Sequence, residues 1–217
     1  MIKRIKNKIL LKIVRFLLNA DNFVYSRISK YAVMMGKGIH PKHRLMKYHD
    51  FFMDNINPGD TVLDVGCGNG SVAFDMAKKA KNVVGIDIDD NNIRAAKENF
   101  LLDNVDYICG DILSWDSRQK FDVIILSNVL EHIEKRVELL KKVKNLGEKL
   151  LMRVPMIDRS WVVLYKREMG IDYRLDKTHY IEYTFDDFQN EIDSAGLEIK
   201  SYSVQFGEIW AVVRNKV

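Results

Sequence analysis

The feature that most constrains this chain is an alternation. From residue 61 to residue 155, short apolar runs rich in β-branched residues alternate with segments whose apolar positions recur at helical spacing. Strands are predicted at 61–65 (TVLDV), 82–88 (NVVGIDI), 105–110 (VDYICG), 121–127 (FDVIILS) and 149–155 (KLLMRVP). Residues 71–80, 91–102 and 131–146 read as helices, the last with Ile133, Val137, Leu140 and Val143 on one face. Strands separated by helices cannot pair through tight hairpins, so they run parallel and the crossovers cover both faces of the sheet. Strand twist makes those crossovers right-handed. The fold class is therefore α/β, with a doubly wound, mostly parallel sheet.

After Pro155 the rhythm breaks. Residues 156–183 mix aromatic and charged side chains around one short helix, WVVLYKREMG, and read as a lid or substrate insertion. A helix follows in TFDDFQNEIDSAG, with Thr184 as its N-cap and Gly196 as its stop. Two further strands are predicted, LEIKSYSVQF and EIWAVVRN. The domain organisation read from this pattern is an N-terminal helical extension over 1–38 and one domain over 39–217, a size that suits a chain of 217 residues.

Charge is unevenly spread. Residues 1–30 carry eight Lys or Arg against one Asp, whereas the remainder holds 26 basic against 29 acidic residues. The body therefore lacks the basic excess of a general nucleic-acid binder. Within 2–18, Arg4, Lys8, Lys12 and Arg15 follow one helical stripe and Ile2, Ile5, Ile9, Ile13 and Phe16 another. Two readings stay open. Either the apolar stripe packs on the domain, or the helix lies on an anionic membrane surface or covers a substrate site. No apolar run approaches the ~18 residues of a membrane span. Lys12 and Arg15 interrupt the stretch at 9–18 and no small-residue cleavage site follows closely, so a signal peptide is not expected. The expected location is cytoplasmic; on the second reading, residues 2–18 touch the inner face of the membrane. Cys67 and Cys109 lack metal or disulfide spacing and read as reduced, small buried residues.

The loop GCGNG (66–70) leaves a strand and opens a helix, which puts it at the carboxyl edge of the sheet, where open α/β sheets hold ligands. Glycine lets the backbone approach a ligand closely. The spacing is G-x-G-x-G, with Ser71 where a dinucleotide loop carries its third glycine, and no Lys-Ser/Thr pair follows. Neither a dinucleotide fingerprint nor a P-loop is present. Asp87 ends the second strand, where an acid can accept hydrogen bonds from ribose hydroxyls. Asp64 precedes the loop, GDIL (110–113) ends the third strand, and FDVIILSNVLEH (121–132) carries the fourth strand into Ser127 and Asn128.

Together these residues resemble the class I S-adenosylmethionine-dependent methyltransferases, in particular the small-molecule type with an L-E-H sequence after the fourth strand. The resemblance covers about residues 40–215. It implies a Rossmann-like, seven-stranded sheet whose last strand is antiparallel. It also implies S-adenosylmethionine as cofactor. Asp64, Gly66, Gly68 and Gly70, with Asn69 between them, match the loop around the methionine part of that cofactor. Asp87 matches the ribose-binding acid and Ile88 the apolar residue beside adenine. Asp111 matches the acid near the adenine amino group, with Ile112 packing on the ring, and Ser127 and Asn128 lie near the transferable methyl. The cofactor has no phosphate, so the missing third dinucleotide glycine and the missing Lys are consistent with it.

Methyl transfer is an in-line displacement that needs the acceptor roughly 3 Å from the methyl. His132 is the candidate base, with a substrate-orienting or purely structural role as the alternatives. Glu131 and Glu134 beside it supply no third or fourth ligand, so no metal is expected. Asp176 and His179 either face the pocket or tie the lid. Trp161, Tyr165, Tyr173 and Tyr180 either wall an acceptor site or form a small satellite core. His43, Arg44 and Tyr48 either reach over the cofactor or belong to a solvated helix face. The FGEIWAVV segment resembles the endings of methyltransferases of sugar-polymer assembly. The reading is methyl transfer, at oxygen, to a small-molecule or a lipid- or glycan-linked acceptor. Rivals are an RNA or protein methyltransferase, a non-catalytic cofactor-binding relative and an NAD-dependent oxidoreductase. The glycine spacing disfavours the last. Ser127-Asn128-Val129-Leu130 stands where amino-methylating DNA enzymes carry a D/N/S-P-P-aromatic sequence, so nucleic acid is not an expected partner.

Overall fold

The computed structural model describes residues 2–36 and 39–216, with side chains from Asn7 onward. The helices are α1 (Ile2–Met35), α2 (Lys42–Met46), α3 (Tyr48–Asp54), α4 (Ser71–Ala77), α5 (Asp90–Asn99), α6 (Arg136–Val143), α7 (Trp161–Glu168) and α8 (Phe185–Ser194). The strands are β1 (Thr61–Val65), β2 (Asn82–Asp87), β3 (Val105–Cys109), β4 (Phe121–Ser127), β5 (Gly147–Pro155), β6 (Leu197–Gln205) and β7 (Glu208–Asn215). Two compact units are formed. One comprises Tyr48–Met156 with Thr178–Val217, and the other the segment up to Lys47 with Ile157–Lys177.

The first unit holds one seven-stranded sheet in the order β3-β2-β1-β4-β5-β7-β6. Strands β1 to β5 pair in parallel, and β7 runs antiparallel to both neighbours. The sequence reads this way because Val62, Leu63 and Val65, then Val123–Leu126, then Leu150–Val154, are buried without alternation. A parallel strand covered by helices on both faces has no solvent side, so these runs are almost wholly apolar, with Asp64 and Arg153 the buried polar exceptions. Helix α5 starts at Asp89, whose side chain accepts from Asn91 N, and α8 starts at a capping box between Thr184 and Asp187. Gly196, at φ 71°, follows α8 as expected.

Two sequence expectations are corrected here. The helix read over 131–146 is divided. Asn128 leaves β4 in a left-handed conformation (φ 56°), Leu130–His132 make one 3₁₀ turn, and Ile133 returns to extended backbone before α6 begins. Helical spacing of apolar residues carried across this break because Leu130 and Ile133 are drawn to the same core as α6. Cys67 is buried, but Cys109, the last residue of the edge strand β3, is exposed although it shares a strand side with buried Val105 and Tyr107.

In the second unit, α1 continues well past residue 18, to Met35. Its partner is α7 and the turn that follows. Arg15 Nη1 donates to Met169 O at 2.7 Å, Asn22 Nδ2 to Asp172 O at 2.6 Å, and buried Lys166 reaches Asp21 Oδ2 at 2.6 Å and Asn22 Oδ1 at 2.7 Å. The end of a helix leaves carbonyls without intrahelical donors, and Arg15 meets one of them. Within this unit, the α1 side chains that meet α7 and the turn after it are polar. Ile9, Ile13 and Phe16 are exposed, as are Leu17, Val24, Ile28, Tyr31 and Met35 further along. Among the described residues no helix is long and apolar enough to cross a membrane.

Candidate cofactor and acceptor site

A cavity of about 390 Å³ opens at the carboxyl ends of β1 to β4. Strand order reverses there, with β2 on one side of β1 and β4 on the other, and such a switch point leaves a crevice between diverging crossovers. Gly66 and Gly68 form one wall, and Ile88 and Ile112 two others, with Asn128, Val129 and His132 beyond. A larger cleft of about 720 Å³ lies at the opposite edge, around Asn57, Asp122, Lys144 and Arg214, and holds none of the candidate residues.

The loop is held from below and closed to side chains. Gly66 N and Cys67 N both donate to Ile86 O, at 2.8 and 3.1 Å. Gly66 (φ 65°) has no room for a Cβ, which would lie 2.7 Å from Val129 Cγ2. At Gly70 (φ 85°) a Cβ would lie 2.7 Å from Tyr107 Oη and 2.8 Å from Ala96 Cβ. Asp87 braces the loop directly. Its Oδ2 accepts from Gly68 N at 2.8 Å, and its Oδ1 from Asp89 N at 2.9 Å and Asn92 Nδ2 at 3.3 Å.

Asp64 lies beneath the loop, 1% exposed, with Oδ2 making no hydrogen bond. Burial pushes its carboxyl up to about 8; a backbone hydrogen bond at Ala73 opposes this and the charge of Asp87 reinforces it. Asp111 Oδ1 accepts from Leu113 N at 3.0 Å, and buried Ile112 lines the cavity with Ile88, which is 73% exposed. An isoleucine so exposed, lining the same cavity as a second isoleucine, offers an apolar surface to a guest.

Beyond Asn128 the character changes from apolar to polar. Glu131 is fully buried in the turn after β4, and Asn128 Nδ2 donates to its Oε1 at 2.9 Å while Oε2 has no partner. Burial pushes this carboxyl up to about 7, against the hydrogen bond from Asn128. His132 Nδ1 lies 2.8 Å from Thr178 Oγ1. His179 is buried, edge-on to His132 with ring centroids 4.6 Å apart, and its Nδ1 is 3.3 Å from Oε1 of buried Glu182. Tyr180 N donates to Glu131 O at 2.8 Å, which fastens the two segments together.

Of the residues predicted for the cofactor, Gly66, Gly68, Asp87, Ile88, Asp111, Ile112 and Asn128 line the cavity, as does His132. Asp64, Asn69, Gly70 and Ser127 do not. Asn69 Oδ1 accepts from Ser71 N, Gly70 packs against Tyr107, and Ser127 accepts from Arg153 Nη1 at 3.2 Å. Arg44, Trp161 and Tyr165 belong to the other compact unit, where Trp161, Leu164, Tyr165 and Glu168 border a shallow cleft. Tyr180 is 61% exposed. Sequence reasoning missed Asn92, one turn into α5, and the buried pair Arg153–Glu208. Arg153 Nε lies 2.6 Å from Glu208 Oε2, and its guanidinium sits 3.7 Å over the Tyr48 ring. Glu182, three residues beyond His179, was also missed, although that spacing is a usable signal.

Residues 56–156 match a family model described as a methyltransferase domain. Over these residues the chain carries a methyltransferase domain of the class I S-adenosylmethionine-dependent kind. It is 35% identical over 134 residues to a ribosomal protein L11 methyltransferase of Thermotoga maritima, a match covering 59% of this chain and 48% of that protein. It is 31% identical over 124 residues to a ubiquinone biosynthesis O-methyltransferase of Bradyrhizobium diazoefficiens, covering 56% and 49%. The chain thus spans about half the length of these curated relatives. The fold is similar to that of a magnesium protoporphyrin IX methyltransferase of Synechocystis solved with S-adenosylhomocysteine (TM-score 0.64, 19% identity, 95% of this chain and 99% of that one). The residues present at this site fit the cofactor of that kind of domain. Ile88 and Ile112 offer two apolar faces for adenine, Asp87 offers acceptors for ribose hydroxyls, and the Gly66–Gly68 backbone offers a surface for the amino-acid end.

Proposed function

We propose that this methyltransferase moves the methyl of S-adenosylmethionine onto a hydroxyl oxygen of a small-molecule or lipid- or glycan-linked acceptor. The observation that carries this reading is the grouping of Glu131 and His179 with His132, which lines the cofactor cavity. A neutral amine attacks a methyl sulfonium without first losing a proton, whereas a hydroxyl is a weak nucleophile until its proton is managed. Two imidazoles and a buried carboxylate are the groups such an acceptor needs.

The lipid-linked form of the reading draws on α1. The solvent-facing residues Ile9, Ile13, Phe16, Val24 and Tyr31 recur at helical spacing, with Lys8, Lys12 and Lys30 also exposed. An apolar stripe bordered by cations is the composition of a helix lying in an anionic lipid interface. The test is transfer from methyl-labelled cofactor into separated cell fractions, glycolipid, small-molecule, RNA and protein. Label in an alkali-stable small-molecule or lipid product supports the proposal. Label confined to protein or RNA refutes it.

A further inference from the structure

We infer that Glu131, His132 and His179 form a binding site for one divalent transition-metal cation beside the acceptor end of the cofactor cavity. One ligand atom from each of the three lies within 4.8 Å of the others. Glu131 Oε2 is the observation that points to a ligand. It belongs to a fully buried side chain whose carboxylate is in this cluster, and it has no hydrogen-bond partner. A carboxylate oxygen left so is costly unless something positive completes it.

The surroundings of the three side chains agree. Each is oriented by a polar neighbour: Glu131 Oε1 accepts from Asn128 at 2.9 Å, Thr178 Oγ1 holds His132 Nδ1 at 2.8 Å, and Glu182 stands behind His179 Nδ1 at 3.3 Å. A carboxylate behind a ligating imidazole, which fixes its ring and raises its basicity, is the usual support of a metal-bound histidine. Two imidazoles with one carboxylate suit Zn²⁺, Mn²⁺ or Fe²⁺ better than the all-oxygen preferences of Mg²⁺ or Ca²⁺. Three protein ligands leave coordination positions open, as in catalytic rather than structural sites. The sequence reading found no third ligand next to Glu131. The chain supplies it from His179, at the start of the segment that leads into α8.

The catalytic consequence rests on the hydroxyl-acceptor reading above; the metal site itself does not. An acceptor hydroxyl bound to the cation through its oxygen loses its proton to water more readily. Its oxygen lone pair then forms the C–O bond to the methyl carbon while the C–S bond breaks. The bonding pair goes to sulfur, leaving neutral S-adenosylhomocysteine, the methylated acceptor and one released proton. In this scheme His132 is a ligand and not the base.

The full chain, stripped with chelator, is titrated with Zn²⁺ and with Mn²⁺ by calorimetry and by Mn²⁺ electron paramagnetic resonance. One site per chain is expected, weakened at least 100-fold in Glu131→Gln and in His179→Gln, and about 10- to 100-fold in Thr178→Val, the loss typical of an orienting neighbour. S-adenosylhomocysteine affinity is measured on every variant and is expected to stay within about twofold, which establishes that the domain is folded. Absence of a stoichiometric site for either cation in the wild-type chain, or equal binding in wild type and in the folded variants, overturns the inference. Methyl transfer is assayed separately with stripped and reloaded chain. A chain that binds the cation but methylates only amines keeps the metal site and loses the hydroxyl reading.

Discussion

Replacing Asp87 by asparagine separates two jobs of one carboxylate. In the ligand-free chain its two oxygens accept three hydrogen bonds, from Gly68 N at 2.8 Å, Asp89 N at 2.9 Å and Asn92 Nδ2 at 3.3 Å. The asparagine amide keeps one oxygen, so an NH₂ group must face either the glycine loop or the first turn of α5. At least one charge-assisted hydrogen bond, worth about 1.5–3 kcal/mol, is lost. Asp87 is only partly buried, so water takes up part of this loss and the expected cost to stability is about 1–2 kcal/mol. In the complex the ribose hydroxyls add a second loss. A bond to a charged acceptor worth about 1.5–3 kcal/mol translates to roughly 10- to 100-fold weaker S-adenosylhomocysteine binding. Denaturant unfolding without ligand reads the first effect and calorimetry with S-adenosylhomocysteine the second. An Asp87→Asn variant as stable as wild type and with unchanged affinity would refute both roles.

Three further outcomes follow from the structure. Gly70→Ala is expected to cost about 1–2 kcal/mol for a left-handed alanine plus about 1–3 kcal/mol for overpacking against Tyr107 and Ala96, visible as a lower Tm; an unchanged Tm sinks the steric argument. Asp64 has a folded pKa of about 8, above its unfolded value, so the folded chain holds a proton that the unfolded chain releases, and stability falls as pH rises from about 4 toward 8. Asp64→Asn removes this dependence, so the drop in unfolding free energy between about pH 5 and pH 8 should be smaller in the variant; equal drops would show that Asp64 does not carry it. Finally, Lys8→Glu with Lys12→Glu should abolish sedimentation of the chain with anionic vesicles, at about 1 kcal/mol per basic residue lost near the surface, and leave S-adenosylhomocysteine binding alone. Wild-type chain that ignores such vesicles at low salt removes the membrane reading.

What the sequence could reveal depended on how local the cause was. The glycine loop, Asp87 and Ile112 follow their own strands by a few residues, so strand prediction alone carried them to the same edge of the sheet. The site of His132 was legible for the same reason. His179 was legible only as a residue of the pocket or the lid; its pairing with His132 was not, because its segment lacks periodicity and is fastened there by the backbone hydrogen bond from Tyr180 to Glu131 O, which no spacing rule announces. The Arg153–Glu208 pair depends on the antiparallel register of β5 and β7, which local pattern does not set. In α1 the amphipathic pattern was visible, but it left the direction of the helix open. The polar anchors Arg15, Asp21 and Asn22 decide which side meets α7, and polar residues carry no inward sign in a hydrophobicity pattern.

The position of β7 sets an order of assembly. Strands β1 to β5 can pair as they leave the ribosome, but the outer edge of β5 stays open until β7, which follows every other strand of the sheet in sequence, has been made. Strands β6 and β7 are joined through Phe206 and Gly207, both left-handed (φ 53° and 72°), the backbone of a tight type I′ hairpin turn. A hairpin so joined closes in about 1–10 μs and is expected to dock onto β5 as a preformed pair. Docking brings Glu208 to Arg153. Until that moment the nascent sheet presents an unpaired edge beside an uncompensated cation, and the charge guards against other strands at the stage when the edge is most open to them.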